Sequence, residues 1–324
     1  MRVEPKVTSI DNYTFSFSGE GTIPQAPPEF KSGFIGIIGR PNVGKSTLMN
    51  QLVGQKIAIT SPIAQTTRNR LRGILTTPEA QLIFVDTPGI HKPHHQLGEV
   101  LVQNAKIAIE SVDVLLFVTD GSVACGAGDR YIADLLTHSQ TPVILGVNKI
   151  DQQPTDSQIL DDSYAELANS HQWQTVKFSA KTGTGLLELQ ELLIEHLELG
   201  PLYYPPDLVT DQPERFIMGE LIREQILLLT REEVPHSVAI AIEKVEETPS
   251  ITRVLATINV ERDSQKGILI GKGGAMLKAI GSEAREQIQK LIAGKVYLEL
   301  FVKVQPKWRQ SRASLAELGY RIEE

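Results

Sequence analysis

Between residues 31 and 198, short apolar runs alternate with longer stretches that pattern as helices. Phe34-Ile35-Gly36-Ile37-Ile38 reads as a strand and 46–53 as a helix. Strands are predicted over 71–75 and 81–85, joined through Thr77-Pro78-Glu79. The runs at 112–119 and 142–147 are apolar throughout, as strands covered on both faces are. A helix at 160–168, a strand at 175–178 and an amphipathic helix at 186–197 follow. The alternation predicts an α/β domain, a mostly parallel sheet wound with helices.

Gly200-Pro201-Leu202-Tyr203-Tyr204-Pro205-Pro206 is a linker signal, and beyond it the pattern changes. Helix at 215–230, strands at 237–245 and 251–260, a short helix at 265–270, a long one at 275–292 and a strand at 295–304 give the order αββααβ, a smaller α+β domain. A terminal helix is predicted at 308–318. Residues 1–30 are polar and, towards the end, rich in proline; Thr14-Phe15-Ser16-Phe17-Ser18 alternates but is too short to assign. The expected division is a mobile arm at 1–30, the α/β domain at 31–199, a linker at 200–213, the α+β domain at 214–306 and a tail at 307–324.

Composition narrows the choices. The 324 residues suit two domains, and 41% apolar content suffices for globular cores. Net charge is −7, so any nucleic-acid surface must be a local patch. The single cysteine, Cys125, excludes an intramolecular disulfide, suits a reducing compartment and reads as an unpaired loop thiol. No apolar run is long enough to predict a membrane-spanning helix, and the N-terminus lacks a signal-peptide pattern.

The chemistry begins at Gly39-Arg40-Pro41-Asn42-Val43-Gly44-Lys45-Ser46-Thr47, two glycines five apart followed by Lys and Ser, between a strand and a helix. Glycines let successive backbone N–H groups point at phosphate oxygens, and the helix start adds partial positive charge. Lys45 is expected on the β- and γ-phosphates and the Ser46 hydroxyl on Mg²⁺. Asp86-Thr87-Pro88-Gly89 closes a buried strand; Asp86 suits Mg²⁺ through water, and the Gly89 N–H suits the γ-phosphate. Asn148-Lys149-Ile150-Asp151 addresses the base: the Asp151 carboxylate can accept from guanine N1–H and its 2-amino group together, and adenine offers neither donor there. The Lys149 stem can lie over the base. Ser179-Ala180-Lys181 is expected to present a backbone N–H, that of Ala180, to guanine O6.

In the second domain, Gly271-Lys272-Gly273-Gly274 interrupts two helices, with Ile270 before it and a long helix after it. A Gly-x-x-Gly bend within αββααβ is the layout of a type II KH domain, whose loop clamps a single-stranded backbone. Lys272 and Lys278 supply charge, and Ile268, Ile270 and Leu277 can line a base groove. Residues 262–303 hold eight Lys/Arg against four acids, a balance of +4 in a chain of −7. Such a basic face is the footprint of RNA contact, and a merely solvated surface is its competitor.

These motifs together, with Gln65-Thr66-Thr67-Arg68 and the linker residues Tyr204-Pro205-Pro206-Asp207 and Thr210-Asp211-Gln212-Pro213-Glu214-Arg215-Phe216, resemble the Era family of GTPases over about 33–321. The resemblance implies GTP hydrolysis to GDP and phosphate, with Lys45, Thr67, Asp86 and Gly89 as catalytic residues and Mg²⁺ held by Ser46, Thr67 and Asp86; Thr66 is the alternative to Thr67. Ile90 stands where Ras-like enzymes place a water-orienting Gln, so slow intrinsic turnover is expected. Asn42 occupies a position that helps hold K⁺ in related GTPases. His91, His94 and His95 read as a solvated loop rather than a metal site. The resemblance also implies binding to small-subunit (16S-type) ribosomal RNA, a role in maturation of the small ribosomal subunit, and a cytoplasmic monomer with peripheral membrane contact. Two rival classes stay open: a tRNA-modification or membrane-associated signalling GTPase sharing this G domain, and an interaction protein whose KH fold binds protein or lipid.

Overall fold

The computed structural model describes residues 8–10, 13–15, 25–61, 63, 66–68, 70–87, 89 and 96–320, the first two stretches as backbone only. The sequence readings on Gln65, Pro88, Ile90, His91, His94 and His95 lie outside these residues, as does most of 1–24.

Within 1–30, Thr8–Ile10 (β1) pairs antiparallel with Tyr13–Phe15 (β2), and Phe30 is buried against Leu202. The α/β sheet comprises β3 (Lys31–Ile38), β4 (Leu71–Thr76), β5 (Ala80–Asp86), β6 (Val114–Asp120), β7 (Val143–Asn148) and β8 (Gln174–Lys177), in the order β4-β5-β3-β6-β7-β8. Only β4 runs antiparallel to its neighbour. All seven residues of β5 are buried, which is why it reads as a continuous apolar run. The helices of this part are α1 (Lys45–Val53), α2 (Gln96–Glu110), α3 (Ala127–Leu136), α4 (Gln158–His171) and α5 (Leu186–His196). Helices α2 and α3 are additions to the sequence expectation. Helix α3 starts on the Asp129 carboxylate, which accepts from the Gly126 N–H at 3.0 Å.

The second sheet has the order β11-β10-β9, from β9 (Ala239–Glu247), β10 (Thr252–Val260) and β11 (Val296–Val304); β10 is antiparallel to β9 and parallel to β11. Helices α6 (Glu214–Leu229), α7 (Val234–Ser237), α8 (Asp263–Ile270) and α9 (Ala275–Ile292) accompany it. Residues 308–318 are not one helix: a single 3₁₀ turn at Trp308–Gln310 is followed by α10 (Arg312–Glu317), which Ser311 caps by accepting from the Ser314 N–H. The break lets the Trp308 indole turn inward and donate to the Ser237 carbonyl at 3.0 Å.

The chain forms two compact units that are not contiguous in sequence. The first comprises 1–57, 70–90 and 105–211; its main core includes Phe117, Leu145, Ile132 and Tyr164. The second comprises 58–69, 91–104 and 212–324; its core gathers Ile59 with Ile222, Ile226, Ile258 and Ile288. A second apolar cluster in that unit joins Leu97 and Leu101 to Ala239, Trp308, Leu315 and Tyr320. Linker residues 200–211 belong to the first unit, and 212 and 213 to the second. Gln81 Oε1 accepts from the N–H groups of Tyr203 and Tyr204, Ile74 N–H donates to the Val209 carbonyl, and Arg72 pairs with Asp211 at 2.6 Å.

Candidate functional site

In the first unit the polar motifs converge at the carboxyl ends of β3, β5, β7 and β8, where open α/β sheets bind ligands. The 39–47 loop turns from β3 into α1 through Gly44, whose φ is 100°. A Cβ there would stand 2.4 Å from Asn148 Nδ2, so both conformation and space demand glycine. Lys45 is 6% exposed, and its Nζ donates to the carbonyls of Gly39 (3.1 Å) and Arg40 (3.0 Å). Burial pushes its ammonium down from 10.5 to about 8, with the Asp86 carboxylate pulling the other way. The Ser46 hydroxyl donates to Asp86 Oδ2 at 2.7 Å. A hydroxyl and a buried carboxylate, both hard oxygen donors, fit Mg²⁺. Thr87 Oγ1 donates to the Ile37 carbonyl, fixing the turn after β5, and a Cβ on Gly89 would fall 2.8 Å from Pro41 N.

The 148–151 and 179–181 loops are braced by Asn148. Its Nδ2 donates to the Val43 carbonyl at 2.8 Å, and its Oδ1 accepts from the N–H groups of Lys149 (2.7 Å) and Ala180 (2.9 Å). The Ala180 N–H expected on guanine O6 is thus donated to Asn148; an O6 acceptor would have to share it. Lys149 adopts φ 65°, and its Nζ pairs with Asp120 Oδ2 at 2.6 Å. Burial raises the Asp120 pKa, but hydrogen bonds from Lys149 and Ser122 outweigh it and hold the carboxyl below its ordinary value. Asp151 is exposed at the rim, and its Oδ1 accepts from Ser179 Oγ at 2.6 Å. Ser179 also accepts from the Thr182 N–H, so its hydroxyl has one orientation and sets that of the carboxylate.

Sequence reasoning missed Asp120 and Asp129. Asp120 ends a buried strand just as Asp86 does, which is a usable signal. Asp129 left none beyond its capping position.

Thr67 lies in 58–69, which packs within the second unit. There the buried Arg68 donates from Nη1 to the Val238 carbonyl (2.6 Å) and from Nη2 to those of Pro235 (3.1 Å) and His236 (3.2 Å). Arg223, also buried, donates to the Thr66 carbonyl and to Glu220, and Glu224 Oε1 accepts from the Thr60 N–H at 2.9 Å. The Thr66 hydroxyl is used locally, donating to the Ile63 carbonyl at 2.6 Å.

The 271–274 bend carries positive φ at Gly271 (71°), Gly273 (60°) and Gly274 (79°). Gly271 is also closely packed: a Cβ would lie 2.8 Å from that of Met276. Nothing stands within 4 Å of the Cβ positions of Gly273 and Gly274, and Lys272, Lys278 and Ile268 are exposed beside them. That is an open backbone ledge with charge next to it. Among the described residues no helix is long and apolar enough to cross a membrane, and no cluster of potential metal ligands occurs.

A phosphate loop, the 148–151 and 179–181 loops beside it and a Gly-x-x-Gly bend in a second α+β sheet define a P-loop GTPase joined to a type II KH domain. Residues 34–149 match the family described as 50S ribosome-binding GTPase, and residues 233–309 match the KH domain family. The chain is 85% identical over 324 residues to GTPase Era of Nostoc sp., covering 100% of both chains. It is 73% identical over 302 residues to GTPase Era of Rippkaea orientalis, covering 93% of this chain and 96% of that one. The crystal structure of an Era in complex with MgGDPNP and nucleotides 1506–1542 of 16S ribosomal RNA superposes with TM-score 0.87 at 39% identity, covering 90% of this chain and 99% of that one. The chain belongs to the Era family of GTPases.

Proposed function

We propose that this GTPase binds small-subunit ribosomal RNA through the 271–274 loop and acts in maturation of the small ribosomal subunit. The observation that carries the reading is the open backbone ledge of Gly273 and Gly274 beside the exposed Lys272. The similar Era structure that contains a 16S ribosomal RNA fragment supports it. In this reading 31–199 form the G domain, 200–213 the linker, and 214–306 the RNA-binding domain, with Ile270, Gly271, Lys272, Gly273, Gly274 and Lys278 at the RNA. Residues 39–47, 86–90, 148–151 and 179–181 hold the nucleotide. Ser46, Asp86 and Thr67 would hold Mg²⁺, which when bound neutralises charge on the β- and γ-phosphate oxygens. Lys45 sets the γ-phosphate, and Asp151, oriented by Ser179, selects guanine. K⁺ beside Asn42 belongs to the same proposal and predicts faster turnover in KCl than in NaCl. So do a monomeric state and a cytoplasmic location with peripheral membrane contact.

Transmission between nucleotide and RNA is assigned to 58–69. That stretch contains Thr67, yet Arg68, Arg223 and Glu224 bind it within the unit that carries the RNA loop. A bound γ-phosphate that engaged Thr67 would bias how this segment is held.

The test replaces Lys272 with Asp, alone and with Gly273→Asp. Gly273 sits at φ 60°, where a side chain is strained, so the single variant guards against misfolding. RNA affinity by filter binding at two salt concentrations should fall, with the salt slope for single-stranded RNA reduced by about 0.7 per lost phosphate contact. GTP affinity should hold. Unchanged RNA affinity in folded variants overturns the assignment of the loop.

A further inference from the structure

Arg40 lies inside the phosphate loop, but its side chain points away along a different path. Its Nε donates to Asp129 Oδ1 at 2.7 Å, across 89 positions of sequence. Asp129 is 0% exposed, and its other oxygen accepts from the Gly126 N–H at the start of α3. The residue beside it is Gly128, where a Cβ would come within 2.7 Å of Arg40 Cδ. The first turn of α3 is therefore shaped to take the arginine stem and to end it on a carboxylate. The Arg40 and Gly39 carbonyls are, in turn, the two acceptors of Lys45 Nζ.

We infer that Asp129 is a positioning residue for the GTPase reaction, holding Arg40 and through it the pair of carbonyls that seats Lys45. The pair is a strut between α3 and the phosphate loop. Burial of the carboxylate fixes one end, and the charge-assisted bond from Nε fixes the direction of the other. Without it the loop keeps its glycines but loses a tether on the side away from the nucleotide, and Lys45 is left less well placed for the β- and γ-phosphates.

The experiment compares Arg40→Ala, Asp129→Ala and the double variant in the full chain, reading affinity for a fluorescent GTP analogue together with kcat and KM. Each single variant should lower affinity about tenfold, as loss of a charge-assisted hydrogen bond does. The double variant should lose no more than either single one, because the residues act as one unit. Arg40→Lys, which keeps a charged donor on a tethered stem, should recover most of the affinity that Arg40→Ala loses, a result that general loosening of the domain does not produce. Should Asp129→Ala fail to fold, the comparison of Arg40→Ala with Arg40→Lys decides alone. Additive losses, absence of recovery in Arg40→Lys, or a folded Arg40→Ala protein within twofold of the parent would each overturn the strut.

Discussion

Replacing Lys45 with methionine is expected to abolish GTP binding and, in nucleotide-free protein, to stabilise the G domain. The Lys45 ammonium is buried, and its pKa falls from 10.5 to about 8, chiefly through desolvation. A shift of that size corresponds to about 3 kcal/mol of bias against the charged form. The unfolded chain keeps the proton up to 10.5, whereas the folded chain releases it near 8. Between these values the unfolded state binds more protons, so stability rises with pH. Below about pH 8 the folded state carries the whole penalty. Methionine has similar length and no charge. It removes the penalty but forfeits the hydrogen bonds to Gly39 and Arg40, leaving a net gain of up to about 2 kcal/mol. For a domain of this size that is up to about 6 °C in Tm. Calorimetry of nucleotide-stripped protein at pH 7 and pH 10 measures it, with titration of GTP as the control for lost binding. The gain should be large at pH 7 and smaller at pH 10. A methionine variant that melts below the parent at pH 7, or an equal gain at both pH values, would show that Lys45 is not held at an electrostatic cost. In this account the phosphates of GTP supply the countercharge that the protein leaves out.

Other outcomes follow from the same geometry. GTP affinity of the parent should decline above about pH 8 as Lys45 loses its proton, while a Lys45→Arg variant, if it binds, should show no such decline; fluorescence titration across pH 7–9.5 checks both. Asp151→Asn should weaken GTP binding about 100-fold, two charge-assisted hydrogen bonds being lost, and should favour xanthine nucleotide, whose 2-oxo group accepts from the new amide. Equal GTP affinity in the variant removes Asp151 from base recognition. Arg68→Met should narrow the difference in RNA affinity between GDP- and GDPNP-loaded protein, because three carbonyls that anchor Arg68 lose their donor. An undiminished difference means that transmission runs elsewhere.

What the sequence determined by itself was local. The glycines around Lys45 and at 271–274 announce backbone that only glycine adopts readily, and that constraint acts within a few residues. Asp86 and Asp151 were legible because each follows a continuous apolar run, and a polar residue at the end of a buried strand has few places to go. Helical patterning beyond the 271–274 glycines placed α9 at its observed limits. The tertiary structure decided which distant groups complete these sites. Arg68 looked like part of a G-domain connection, yet it closes on carbonyls 167 to 170 positions away in the second unit. Arg40 looked like a loop residue beside the phosphates, yet its side chain ends on Asp129. The Ala180 N–H looked available to the base, yet it is donated to Asn148. In each case the partner is a hydrogen-bonding group without a local signature. A buried donor must find an acceptor, but which one it finds depends on how the sheet order and helix packing bring remote segments together.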